Sequence, residues 1–84
     1  MNPIPVINMT ATGQNIIRLR QKAGVSVKMI QNALGFSTPQ AIYKWQNGSA
    51  LPTIDNLVAL AAILNTTIDE IIVCHESYMN VLTA

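Results

Sequence analysis

The sequence predicts an all-α domain of five short helices, with an extended arm before them and a tail after them. Half of the 84 residues are apolar and only 11% are charged, a balance that favours folding over disorder. The length allows one core, which excludes two-domain enzymes and large cofactor-binding folds. Apolar residues then recur at helical spacing between capping and terminating signals.

Residues 1–11 place Pro3 and Pro5 among Ile4, Val6, Ile7 and Met9, so they read as an extended arm whose role is open. Thr12 is the expected cap of a first helix over 13–23, with Ile16, Leu19 and Ala23 on one stripe and Gly24 as its end. Ser26 opens a second helix over 27–34, with Ile30 and Leu34 four apart and Gly35 as terminator. Ser37-Thr38-Pro39 supplies a capping hydroxyl before a proline, the start signal of a third helix over 39–47 that Asn47-Gly48 closes. Thr53 is expected to cap a fourth helix over 54–64, with Leu57, Leu60, Ala61 and Leu64 on one stripe. Thr67-Ile68-Asp69-Glu70 fits a capping box and begins a fifth helix through Ile71 and Ile72. Beyond it, residues 75–84 either continue that helix or fray. The domain organisation is therefore an arm over 1–11, a helical domain over 12–74 and a C-terminal extension over 75–84.

Charge is segregated along the chain. Arg18, Arg20, Lys22, Lys28 and Lys44 all precede Asp55, Asp69, Glu70 and Glu76, so residues 1–54 carry +5 and residues 55–84 carry −4. That layout suits a first half that meets a polyanion, although dispersed cations also serve solubility alone. Cys74 and His75 are the one Cys and the one His, so neither an internal disulfide nor a four-ligand zinc site is expected. The longest apolar run, Leu57 to Leu64, is far short of a membrane span, and the N-terminus has no charged leader. A soluble, cytoplasmic protein is expected, with no cofactor, no metal, no membrane partner and no evident small-molecule ligand.

Gly13-x-x-Ile16-x-x-Leu19-Arg20, Ala23-Gly24-Val25-Ser26 and Ile30-x-x-x-Leu34-Gly35 occur in order with Ile42-x-x-Trp45-x-x-Gly48. After them comes Leu51-Pro52-x-x-Asp55-Asn56-Leu57-x-x-Leu60-Ala61-x-x-Leu64-x-x-x-Ile68-Asp69-Glu70-Ile71. Over residues 13–73 this pattern resembles the Cro/phage-repressor (XRE-type) helix-turn-helix family. The resemblance implies a repressor-like helix-turn-helix fold and a sequence-specific DNA-binding transcriptional regulator, expected to be a repressor, that inserts helix 39–47 into the major groove. Three departures stand out. Gln31 occupies a position where the family usually has a small residue. The segment from Gly35 to Trp45 is one residue longer than the common pattern. Gln46 stands where an acid often pairs with the residue at position 20, which leaves at most an uncharged hydrogen bond and an Arg20 freer to meet phosphate.

On the third helix, Ile42 and Trp45 define the buried side and Gln40, Lys44 and Asn47 the opposite one. Gln40 and Lys44 are the expected base readers, since an amide suits adenine and an ammonium suits guanine. Tyr43, between the two faces, either joins them, bonds phosphate or covers the core edge. Expected phosphate contacts are the backbone at Val27, Lys28 with its side chain, the hydroxyls of Ser37 and Thr38, and Asn47; for Thr38 capping is the stronger reading. Arg18 and Lys22 form a solvated face. Trp45 belongs to the core by its spacing from Ile42.

Nothing in the sequence assembles catalytic chemistry. Cys74 and His75 are adjacent, pointing about 100° apart on a helix, so a buried thiol and a surface imidazole are expected in place of a nucleophilic pair. The chain is expected not to be an enzyme. Double-stranded DNA is the expected partner, bound by a homodimer formed through the C-terminal half, with Ile72, Val73, Met79, Val81 and Leu82 left over for the contact or the arm supplying it instead. The competing reading is a protein-interaction or antitoxin-like module on the same fold.

Overall fold

The computed structural model describes residues 4–77. In chain order the elements are β1 (Ile4–Ile7), α1 (Met9–Ala23), α2 (Val27–Leu34), α3 (Gln40–Asn47), α4 (Ile54–Ile63), α5 (Ile68–Ile71) and β2 (Cys74–Ser77). The five expected helices are present. Each gives one fully buried side chain to a common core: Ile16, Ile30, Ile42, Leu60 and Ile71 are all 0% exposed. Burying a side chain of this kind contributes about 1.5–3 kcal/mol, so the core is built from the apolar stripes and not from helix propensity.

The expected cap of α1 was misplaced. The helix begins at Met9, where the Asn8 side chain accepts from the Ala11 N–H at 3.0 Å. Thr12 lies inside the first turns, 1% exposed, and its hydroxyl is spent on a distant strand of backbone: Val73 N–H donates to Thr12 Oγ1 at 2.9 Å, and that hydroxyl donates to the Val73 carbonyl at 3.3 Å. A threonine whose hydroxyl bonds two backbone groups from another part of the chain is not available to cap its own helix.

The cap at Ser26 is as expected, with Ser26 Oγ accepting from the Met29 N–H at 3.0 Å. Gly24, Gly35 and Gly48 end α1, α2 and α3 in the left-handed region. At Gly48 the requirement is twofold, because φ is +81° and a Cβ there would also stand 2.9 Å from the Thr10 Cα. Neither α3 nor α4 starts with a side-chain cap hydrogen bond: Pro39 occupies the cap position of α3, so Thr38 does not cap it, and the Thr53 hydroxyl turns to the Asp55 carboxylate at 2.5 Å. At α5 the capping box is half made. Thr67 Oγ1 accepts from the Glu70 N–H, while the Glu70 carboxylate accepts from the Thr66 hydroxyl at 2.8 Å.

The sequence reading did not foresee the strands. β1 and β2 pair antiparallel, with Ile4 opposite Ser77, Pro5 opposite Glu76, Val6 opposite His75 and Ile7 opposite Cys74. α5 is a single turn, and the chain leaves it extended through Ile72 instead of continuing as a helix. Cys74 is thus an exposed strand residue and not a buried helical thiol. Met79, Val81 and Leu82, expected at a dimer contact, lie outside the described residues. Among the described residues no helix is long and apolar enough to cross a membrane.

Candidate nucleic-acid interface

α3 is held from beneath at three points. Ile42 and Trp45 sink into the core. The second point is Gly13 of α1, where a Cβ would come within 2.4 Å of the carbonyl oxygens of both Trp45 and Gln46. Only glycine lets the two backbones meet this closely. The third is Arg20, half-buried, whose Nε–H donates to Gln46 Oε1 at 3.1 Å while Nη1 donates to the Val25 carbonyl at 3.1 Å. Arg20 therefore links α1, the turn before α2 and the end of α3. The expectation of a guanidinium freed for phosphate is corrected: the uncharged bond to Gln46 forms, and it holds Arg20 inside the scaffold.

The turn between α2 and α3 is shaped by the unusual glutamine. Gln31 is 6% exposed, and its Nε2 donates to the Phe36 carbonyl at 3.2 Å while its own carbonyl accepts from the Phe36 N–H at 3.0 Å. Phe36 is thereby fixed by both of its backbone polar groups, and its ring meets Trp45 edge-on, 5.9 Å between centroids at 68°. The long amide is accommodated because the turn brings the Phe36 carbonyl to it as an acceptor. Phe36 was not among the residues singled out from the sequence. Three aromatic residues, Phe36, Tyr43 and Trp45, in a short turn-and-helix segment were its available signal, but the contact has no periodicity to reveal it.

On the outward side of α3, Gln40, Tyr43, Lys44 and Asn47 are all exposed, with Tyr43 at 52%. Asn47 Oδ1 accepts from the Ser49 N–H at 2.9 Å and from the Ser49 hydroxyl, an Asx turn that orders the chain leaving the helix. Ser37 and Thr38 are exposed in the turn, and Val27 and Lys28 stand in the first turn of α2. The Ser26 cap takes the Met29 N–H and leaves the N–H groups of Val27 and Lys28 outside that bond. No acid precedes Asp55 in the sequence, so neither α2 nor α3 carries a carboxylate. The other cations lie elsewhere. Arg18 donates twice to Asn15 Oδ1, whose amide in turn donates to the Glu70 and Ile71 carbonyls, and Lys22 lines a cleft with Ile63, Leu64 and Glu70. Lys28 and Lys44 are thus the cations carried by the α2–α3 pair, a narrower positive surface than the charge layout alone implied. Among the described residues no group of three or more His, Cys, Asp or Glu side chains is placed to hold a metal ion.

Comparison with solved structures gives the same architecture. The restriction-modification controller protein C.AhdI from Aeromonas hydrophila matches with a TM-score of 0.66 at 21% identity, over 75% of this chain and 94% of that one. The P22 c2 repressor, solved in complex with a synthetic operator, matches with a TM-score of 0.64 at 25% identity, over 71% of this chain and 89% of that one. The clp gene regulator ClgR from C. glutamicum matches with a TM-score of 0.65 at 16% identity, over 75% and 80% of the two chains. No curated protein matches the chain. A helix-turn-helix family model matches residues 16–71, well over half of the sequence and the whole span from the core of α1 to the end of α5. The chain belongs to this helix-turn-helix family, of the Cro and phage-repressor (XRE) type.

Proposed function

We propose that the protein is a transcriptional regulator of the repressor kind, acting in the cytoplasm, which binds a specific DNA site as a homodimer and inserts α3 into the major groove. One observation carries the reading: α3 presents an unbroken exposed row of Gln40, Tyr43, Lys44 and Asn47 while its other side is locked by Ile42, Trp45, Gly13 and Arg20. A groove reader needs that combination of a polar outer face and a rigid mount. The P22 c2 repressor, complexed with its synthetic operator, supports it by likeness. The DNA-binding unit is residues 12–74, and its partner is double-stranded DNA.

In this reading Gln40 and Lys44 bond base edges, with Tyr43 beside them. The N–H groups of Val27 and Lys28, the Lys28 ammonium and the hydroxyls of Ser37 and Thr38 meet phosphates, as does the Asn47 amide, whose oxygen is already engaged by Ser49. Two subunits related by a twofold axis set their α3 helices about 34 Å apart and favour a palindromic site.

Site selection from random DNA followed by anisotropy titration tests this. With Lys28 and Lys44 of two subunits bringing four cations to the phosphate backbone and the groove it lines, affinity falls with salt on a log-log slope of about −4. Gln40→Ala and Lys44→Ala each cost about 1–3 kcal/mol on the selected site and much less on random DNA. Lys28→Ala weakens both kinds of DNA alike and makes the slope shallower by about one unit. A selected sequence unmoved by Gln40→Ala and Lys44→Ala but changed by Tyr43→Ala shows a different helix register. Binding to no DNA at low salt favours the protein-interaction module instead.

A further inference from the structure

Among the described residues the two strands form a sheet of two, with no third strand on either side. In an antiparallel ladder alternate residues turn their N–H and C=O groups toward the partner and the rest turn outward. The Asn8 N–H donates to the Val73 carbonyl at 2.8 Å, which sets the phase of the ribbon. Val6 and Ile4 therefore face β2, and Pro5 and Ile7 face away; His75 and Ser77 face β1, and Cys74 and Glu76 face away. The two outer edges are chemically unequal. Pro5 has no N–H, and it stands at an outward position of β1, where it removes a donor that an added strand would need. The outer edge of β2 keeps every donor and acceptor of Cys74 and Glu76.

We propose that the outer edge of β2 is the homodimer interface, pairing antiparallel with β2 of a second copy to give a four-stranded sheet in the order β1-β2-β2-β1. This rests on the homodimer reading above and gives that dimer its contact. A second copy is the occupant because the edge is self-complementary under a twofold axis, and because one open and one blocked edge per chain stops growth at two copies instead of a filament. Two-stranded ribbons are marginal in water, and doubling the strand number supplies the pairing this one lacks. The axis passes His75: Cys74 then forms backbone-bonded pairs with Glu76 of the partner subunit, and His75 lies opposite His75 of the partner subunit in a pair without backbone bonds. An axis at Glu76 would instead set like charge against like.

The test uses the full chain, measured by light scattering with and without its selected DNA, alongside Glu76→Pro and two cysteine placements. Glu76→Pro removes an outward donor and leaves the bonds to β1 in place, so it is expected to keep the circular dichroism spectrum and the melting curve while weakening the dimer by about tenfold or more. In a Cys74→Ser background, His75→Cys is expected to give a disulfide-linked dimer under mild oxidation, because directly opposed Cβ atoms lie within bonding range. Glu76→Cys in the same background is expected to stay unlinked. A wild-type dimer that Glu76→Pro leaves equally tight, with no linkage through His75→Cys, overturns the strand-edge interface and leaves homodimerisation standing. A wild-type monomer in both measurements overturns the two together.

Discussion

The helical core and the two-stranded ribbon are held by different means. In the core, one side chain from each of five helices is fully buried, and each was marked in the sequence by neighbours three or four positions away. The ribbon joins four residues at one end of the described chain to four at the other, through backbone hydrogen bonds and one buried hydroxyl. The difference teaches where the specificity of a small fold resides. A periodic stripe commits a segment to a helix locally, whereas a short strand is committed only when its distant partner arrives.

The largest expected effect breaks the core at the crossing of α1 and α3. Gly13→Ala places a methyl group 2.4 Å from two carbonyl oxygens, so the helices must separate. A loss of about 3 kcal/mol is expected in chemical denaturation, because backbone on both sides cannot yield as a side chain does. Unchanged stability would show that the helices do not meet at this distance.

Thr12→Val acts on the ribbon instead. The valine fits the space of the threonine, and the Val73 N–H and carbonyl lose the hydroxyl that serves them both. About 1–3 kcal/mol is expected. Hydrogen exchange is expected to quicken at Val73 through Ser77 while the amides of Ile30 and Leu60 keep most of their protection, since the loss begins at the clasp. Equal acceleration everywhere would mean that ribbon and core open as one unit.

The smallest effect lies outside both regions. The Thr53 hydroxyl, with help from the Asn56 backbone, holds the exposed Asp55 carboxyl below its ordinary value. Such a group lends stability above its unfolded value and withdraws it as pH falls through the lower, folded one. Thr53→Val is expected to move the Asp55 titration upward by NMR and to leave the ribbon's exchange unaltered.

The same contrast explains what could be read from the sequence. The two sides of α3 were legible because Ile42 and Trp45 against Gln40, Lys44 and Asn47 obey 100° per residue. The start of α1 was not, because Thr12 looks like a cap until Val73 is beside it, some sixty positions later. Residues 74–77 looked like the weakening end of a helix for the same reason: nothing near them in the chain records Ile4–Ile7 as their partner. At the candidate site, the contacts of Gln31 and Phe36 are neither periodic nor charged, so the sequence showed an anomaly at Gln31 without showing what resolved it.

The bond from the Arg20 guanidinium to the uncharged amide of Gln46 bears on how a binding measurement is interpreted. An ion pair at that joint would weaken as electrolyte is added, and α3 would loosen on its mount during the same titration that strips the protein from DNA. An amide acceptor carries no net charge for ions to screen. The support beneath α3 therefore keeps its geometry across the titration, and the slope measured counts ions exchanged at the outer face alone.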